Sequence, residues 1–339
     1  MAVRPESAAP PDDAEAPTYP PRAPLWPFTS AGPPPDPTPS DGPDPYGNPD
    51  PEWLRMDWRQ HLHQVEVAEA RVNYCEMGEG GRPIVFVHGL AGCWQNWLEN
   101  IPHFAREHRV IALDLPGFGN SPMPPWDVTI SNYGRLVDEF CTRLNLHECA
   151  LVGNSMGGFI SAEVAIAQPE WVQKLVLLSA AGISSVHVRR RPAEALARLL
   201  AASAGLSFEL RARGLRRWRL RYAMFRNVFD SPHRLRPELL WEFAHGASGA
   251  PAFLPALGAL LGYDFLDRLD RVKLPTLIVW GRDDRVIPSA DAAEFDLHLS
   301  DSRLVIFERC GHVPMAERPV RFNRVLEQFL ADRIRPGPR

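Results

Sequence analysis

Ala150-Leu151-Val152-Gly153-Asn154-Ser155-Met156-Gly157-Gly158 is an apolar run that stops at a serine set among glycines. The three apolar residues read as the end of a buried strand, and the residues from Met156 onward as the start of a helix. A serine between them sits on a tight turn with a strained backbone, and where the helix doubles back over the strand only glycine leaves room. Gly153, Gly157 and Gly158 provide that room. Such a turn holds the Ser155 Oγ clear of the sheet. The N–H of Met156, at the helix N-terminus, lacks an intrahelical acceptor and lies where negative charge is favoured. One turn thus offers a nucleophile and an oxyanion donor, and it points to hydrolytic chemistry.

The surroundings of this turn predict one large sheet. Continuous apolar runs at 84–87, 110–113, 150–152 and 175–178 suit parallel strands covered on both faces, and 276–280 and 303–307 resume the pattern. Before them, 64–68 and 71–76 alternate as two antiparallel strands at a sheet edge. Helices are expected at 96–107, 130–144 and 156–167, the last stopped by Pro169, with a closing helix at 320–334. Residues 182–272 show no clear strand but contain helical stretches at 193–204, 208–229 and 237–246. An interruption of that length between strands of one sheet reads as a helical cap over its carboxyl edge.

Composition sets the outer limits. Of 35 prolines in the 339 residues, 17 fall in residues 1–51, so 1–52 is expected to be a disordered, partly polyproline tail. The remainder divides into a core at 53–181 and 273–335 with the cap at 182–272 between them. A net charge of −4 argues against a nucleic-acid-binding protein. Locally, residues 189–226 carry eleven arginines against Glu194 and Glu209, and Leu215, Trp218 and Leu220 are interleaved with them. That pattern fits either a solvated face or weak contact with an anionic membrane surface. Five cysteines without CxxC spacing suggest buried thiols in a reducing compartment. No run long and apolar enough to span a bilayer is present, so a soluble cytoplasmic protein is expected.

Ser155 needs a base in contact and an acid that orients the base. His312, in Cys310-Gly311-His312-Val313-Pro314, follows the last strand; Asp283 and Asp284 follow the strand before. A second oxyanion donor is expected from His88-Gly89-Leu90-Ala91-Gly92, with the Leu90 N–H as candidate beside that of Met156. His88 itself reads as structural.

Taken together, His88-Gly89, Asp114-Leu115-Pro116-Gly117-Phe118-Gly119-Asn120-Ser121, the serine turn, Trp280-Gly281-Arg282-Asp283-Asp284 and Gly311-His312 resemble α/β-hydrolase-fold proteins over about residues 60–335. The resemblance implies an α/β architecture: a mostly parallel eight-stranded sheet flanked by helices, with a helical cap inserted after the sixth strand. It implies a Ser155–Asp284–His312 triad, Asp284 being preferred to Asp283 because the family places its acid at the third position after the turn glycine. No metal or organic cofactor is called for. A serine at the nucleophile position sets aside the dehalogenases and epoxide hydrolases of this fold, which use a carboxylate.

Asn154 and Trp280-Gly281-Arg282-Asp283-Asp284-Arg285 are similar to hydrolases of ring-opened meta-cleavage products, which break a carbon–carbon bond. The short oxyanion loop and Val313 after the histidine depart from those enzymes and favour a carboxylic ester with an apolar acyl or aromatic part. A catalytically idle ligand receptor or scaffold is the third reading. Trp94, Asn154 and Val313 are candidate substrate-pocket residues, although Trp94 and Trp97 equally suit the core. The cap residues Leu196, Leu199, Leu200, Phe208, Leu215, Trp218, Phe225, Phe253, Leu257, Leu260 and Leu261 suit either an acyl chain or the packing of the cap itself.

Overall fold

The computed structural model describes residues 34–167, 169–187, 215, 217–246, 250–261 and 263–331. The strands are β1 (Leu62–Val67), β2 (Ala70–Met77), β3 (Ile84–Val87), β4 (Val110–Leu113), β5 (Cys149–Asn154), β6 (Val172–Leu178), β7 (Thr276–Gly281) and β8 (Ser302–Phe307). They form one sheet in the order β1-β2-β4-β3-β5-β6-β7-β8. The pairs β1/β2 and β2/β4 are antiparallel and every other pair is parallel, as the apolar runs predict. β1 and β2 meet through Ala68 and Glu69, both at positive φ (48° and 58°), a two-residue turn made without glycine or asparagine.

Strand alternation divides the core between the two faces. Val85 and Val87 join Phe118, Tyr133, Phe140 and Phe159 on one side, whereas Ile84 and Phe86 join Trp97, Phe104, Phe307 and Phe322 on the other. The flanking helices are α1 (Ile101–Phe104), α2 (Ile130–Arg143), α3 (Met156–Ile166), α4 (Trp218–Phe225), α5 (Pro237–Gly246), α6 (Phe253–Leu260), α7 (Ala290–His298), α8 (Pro314–Glu317) and α9 (Pro319–Ala331). Thr129 caps α2 by accepting from the Asn132 N–H at 3.0 Å. The buried Lys174 of β6 donates to the carbonyls of Phe329 and Leu330, so a cation from the sheet serves the C-terminus of α9.

Several expectations need correction. The helix expected at 96–107 is instead a 3-10 turn at Trp94–Trp97 followed by the short α1. Pro102 lies in the first turn of α1, where its missing N–H can start a helix but not continue one. The buried Asn100 side chain before it reaches out to the Met315 carbonyl and Asn323. Residues 34–52, expected to belong to a disordered tail, run as a strap over β8 and α9. Thr38 exchanges hydrogen bonds with Ile306, and Asp44 pairs with Arg318 and Arg321. The expected helix at 193–204, and with it Leu196, Leu199, Leu200 and Phe208, lies outside the described residues, as do residues 1–33. Between β6 and β7 the described elements are α4, α5 and α6 with short 3-10 turns.

The turn between β5 and α3 leaves no space. A Cβ on Gly157 would stand 2.2 Å from the Val87 carbonyl oxygen and 2.5 Å from that of His88; one on Gly153 would stand 2.2 Å from the Gly157 carbonyl oxygen. Those neighbours are backbone of packed elements and cannot yield. Gly157→Ala should therefore lower stability by about 1–3 kcal/mol or more. Urea unfolding is the check; a midpoint equal to that of the wild type would contradict the close approach.

Candidate active site

Ser155 stands at the C-terminal end of β5 as the N-cap of α3, with φ 56° and ψ −119°. That left-handed backbone is costly for a residue with a Cβ. It is held by the Ser155 N–H donating to the Leu178 carbonyl at 2.9 Å and by the Ser155 carbonyl accepting from Phe159 and Ala181 at 3.1 Å each. Met156 opens α3, so its N–H has no intrahelical acceptor.

Asp284 follows β7 and His312 follows β8, and the structure brings them together. His312 Nδ1 donates to Asp284 Oδ2 at 2.8 Å, while Oδ1 accepts from the amides of Val286 (2.8 Å) and Ile287 (3.0 Å). A carboxylate accepting three hydrogen bonds is fixed in orientation, and it assigns the proton of a neutral imidazole to Nδ1, leaving Nε2 as a base. Asp283, its rival in the sequence, is exposed. The loop of His312 is tied to the serine turn, because Asn154 Nδ2 donates to the His312 carbonyl at 3.2 Å and to the Leu178 carbonyl at 3.1 Å. Among the described residues no hydrogen bond joins Ser155 Oγ to the imidazole; such contacts often tighten only when substrate is bound.

The loop after β3 lies against the serine. A Cβ on Gly89 would stand 2.9 Å from Ser155 Cβ, and the next N–H is that of Leu90, which donates no hydrogen bond among the described residues. His88 Nε2 accepts from the Leu115 N–H at 2.9 Å and its Nδ1 donates to the Gly89 carbonyl at 2.7 Å. Burial pushes this imidazole down to about 4, so it is neutral and structural, as expected. Asp114 anchors the far end of the loop. Its carboxylate accepts from the Trp94 N–H (2.7 Å), the Asn120 N–H (2.9 Å) and Asn73 (2.8 Å). Burial raises its pKa to about 6 against those hydrogen bonds.

The three pocket candidates are all buried. Trp94 is 4 % exposed and packs on Trp58 with ring centroids 5.2 Å apart. Asn154 spends its amide on the two carbonyls named above, so it braces the loops. Val313 is 3 % exposed within the core cluster on the α9 side of the sheet. Each is consumed by packing or by backbone hydrogen bonds, which residue type alone does not disclose. Leu90 is the loop residue that meets the insertion, against Leu257 and Leu261 of the α6 region.

Sequence reasoning assigned no role to Glu317. Fully buried in α8, it accepts from the N–H of Gly311 at 2.9 Å and of Val313 at 3.4 Å, on either side of His312. Burial raises its pKa, opposed by hydrogen bonds from Tyr46, Asp230 and Gly311. An acid among apolar residues just after Gly-His was the available signal. Among the described residues no group of three His, Cys, Asp or Glu side chains is placed to hold a metal ion, and no helix is long and apolar enough to cross a membrane.

Comparisons with known proteins agree with this architecture. The family model described as alpha/beta hydrolase fold matches residues 82–319. The chain is 30% identical over 282 residues to a 2-hydroxy-6-oxo-6-phenylhexa-2,4-dienoate hydrolase of Comamonas testosteroni, covering 80% of this chain and 95% of that protein. Among solved structures it resembles a membrane phospholipase A from bacteria (TM-score 0.64, 28% identity, 79% of this chain and 85% of that one). It also resembles an N-acyl homoserine lactone degrading enzyme (TM-score 0.63, 25% identity, 79% and 100%). With a strained serine turn after β5, a strand order reversing around β3, and the family match covering most of the sheet, the chain belongs to the alpha/beta hydrolase fold family.

Proposed function

We propose that the protein is a serine hydrolase in which Ser155 attacks a carbonyl, His312 Nε2 takes the hydroxyl proton, and Asp284 holds the imidazole and stabilises its cationic form. The observation that carries this reading is the 2.8 Å Asp284–His312 hydrogen bond beside a serine at φ 56°. The N–H groups of Leu90 and Met156 receive the oxyanion. His312 then returns the proton to the leaving group, and water releases the acyl group from Ser155. The helices between β6 and β7 act as the cap: the Val228 carbonyl accepts from the His312 N–H at 2.8 Å, and α6 covers Leu90.

For the substrate, we favour a ring-opened 2-hydroxy-6-oxo-dienoate whose carbon–carbon bond is cleaved. The 30% identity to the dienoate hydrolase outweighs the short oxyanion loop and Val313, which favoured an ester in the sequence. Val313, moreover, packs within the core cluster that includes Phe307, Met315 and Phe322, so its departure from the expected aromatic carries less weight. A vinyl carbanion is a poor leaving group, so the 2-hydroxydienoate must first ketonise, its 2-hydroxyl proton moving to C5; the C5 carbanion released when C5–C6 breaks is then delocalised through C3=C4 onto the 2-oxo group. Ester hydrolysis is the second reading, supported by the likeness to the phospholipase and the lactone-degrading enzyme. The surface of α4 adds a partner to that reading: Trp218, Leu220 and Met224 are exposed beside Arg217 and Arg219, the composition of a weak contact with anionic lipid.

A fluorophosphonate probe should label the wild type and not Ser155→Ala, and the substitution should lower turnover by about 10³-fold or more. Failure of the well-folded wild type to label would instead favour the receptor or scaffold reading. Assayed side by side, 2-hydroxy-6-oxo-6-phenylhexa-2,4-dienoate should give a higher kcat/KM than p-nitrophenyl esters of graded chain length. The reverse order would move the assignment to an esterase. Sedimentation with phosphatidylserine vesicles should exceed that with phosphatidylcholine vesicles and fall on Trp218→Ala/Leu220→Ala; equal sedimentation would remove the lipid partner.

A further inference from the structure

Residues 38–49 precede the first residue matched by the family model, yet they reach the loop that carries His312. The contact is a junction built around Tyr46. Its hydroxyl donates to Glu317 Oε2 at 2.6 Å and accepts from the Ser231 N–H at 2.7 Å. The guanidinium groups of Arg318 (5.0 Å) and Arg234 (5.3 Å) both lie over its ring. The next residue is fixed too, since the Gly47 N–H donates to the Glu317 carbonyl at 2.7 Å.

Glu317 is surrounded by donors. Oε1 receives Gly311 and Val313, and Oε2 receives Tyr46 and the Asp230 N–H at 2.8 Å. All four partners donate, which suits an acceptor-only carboxylate and no other side chain of that shape. The consequence for the loop is direct. Of the three consecutive amides from 311 to 313, two end on Glu317 and the middle one ends on the Val228 carbonyl. The backbone around His312 is therefore defined by one buried carboxylate, and that carboxylate takes one of its four hydrogen bonds from the N-terminal strap.

We propose that Tyr46 and Glu317 are positioning residues: through them the N-terminal strap presents His312 to Asp284 and Ser155. This rests on the reading of His312 as the general base. Tyr46 is far in sequence from the acid it serves and touches neither the serine nor the imidazole. Its effect is on the rate of the chemical step and leaves the approach of ligand unchanged.

The test uses the full chain with Tyr46→Phe, which keeps the ring that the two arginines contact and deletes only the hydroxyl. Fluorophosphonate inactivation should show a maximal rate about tenfold lower with an unchanged half-saturating concentration, because a small misplacement of a catalytic group slows chemistry more than binding. Backbone amide exchange of a peptide spanning residues 309–316 should rise about tenfold in the same variant. Glu317→Gln, which turns an amide donor toward other donors, should change both readouts in the same direction and further. Unchanged exchange in Tyr46→Phe would overturn the coupling, whatever the chemistry at Ser155. Raised exchange with an unchanged inactivation rate would overturn the positioning role, as would a lower melting temperature alone. Failure of the wild type to react, with exchange still responding, would locate the error in the hydrolase reading and would remove the catalytic role of the strap with it.

Discussion

Backbone packed directly on backbone at the end of β5 is the constraint from which the rest of the site follows. Gly157 lies against the carbonyls of Val87 and His88, so α3 can cross the sheet only at this distance. The crossing forces the reversal of the chain onto a single residue, Ser155, whose positive φ is held by hydrogen bonds to β6 and α3. A side chain in that conformation projects away from the sheet. The same geometry leaves the first amide of α3 beside it and brings Gly89 of the β3 loop against its Cβ. The proposed nucleophile, the proposed first oxyanion donor and the loop bearing the second are in this sense one steric arrangement.

Much of this was legible in the sequence because the relevant signals are local. Strands buried on both faces read as unbroken apolar runs, and a serine among three glycines after such a run marks a sharp reversal of the chain by itself. Helix 237–246 was legible for the same reason. What escaped was what depends on distant partners. Nothing near Ala68-Glu69 marks a tight hairpin, since neither residue is a usual turn former. Pro102 splits a stretch whose apolar spacing predicts a longer helix. The strap has too little apolar surface to announce itself, and its order comes from Arg318, Arg321 and Arg324, side chains of the other end of the chain. Glu317 acquires its role from a tyrosine 271 residues away.

The acids around the site divide by the company they keep. Asp284 faces two amide donors and an imidazole, and those three hydrogen bonds fix the orientation of its carboxylate. Asp114 and Asp291 are buried carboxyls whose pKa values burial raises to about 6, and each is satisfied by the amides of a loop: Trp94 and Asn120 for the first, Ser184 for the second. These acids act as fasteners between loops. Residue type alone cannot separate a fastener from a catalyst; the donors that converge on each oxygen do.

The strap also bears on how the sheet ends. β8 is the last strand and would present free backbone groups along its outer edge, but Thr38 engages Ile306 with both its N–H and its hydroxyl. A version of the chain trimmed to begin at Trp53, where apolar composition sets in, would bare that edge to strand pairing with other molecules and withdraw a donor from Glu317 in one cut. Self-association and slow turnover would then share a single origin in a truncation chosen for tidiness.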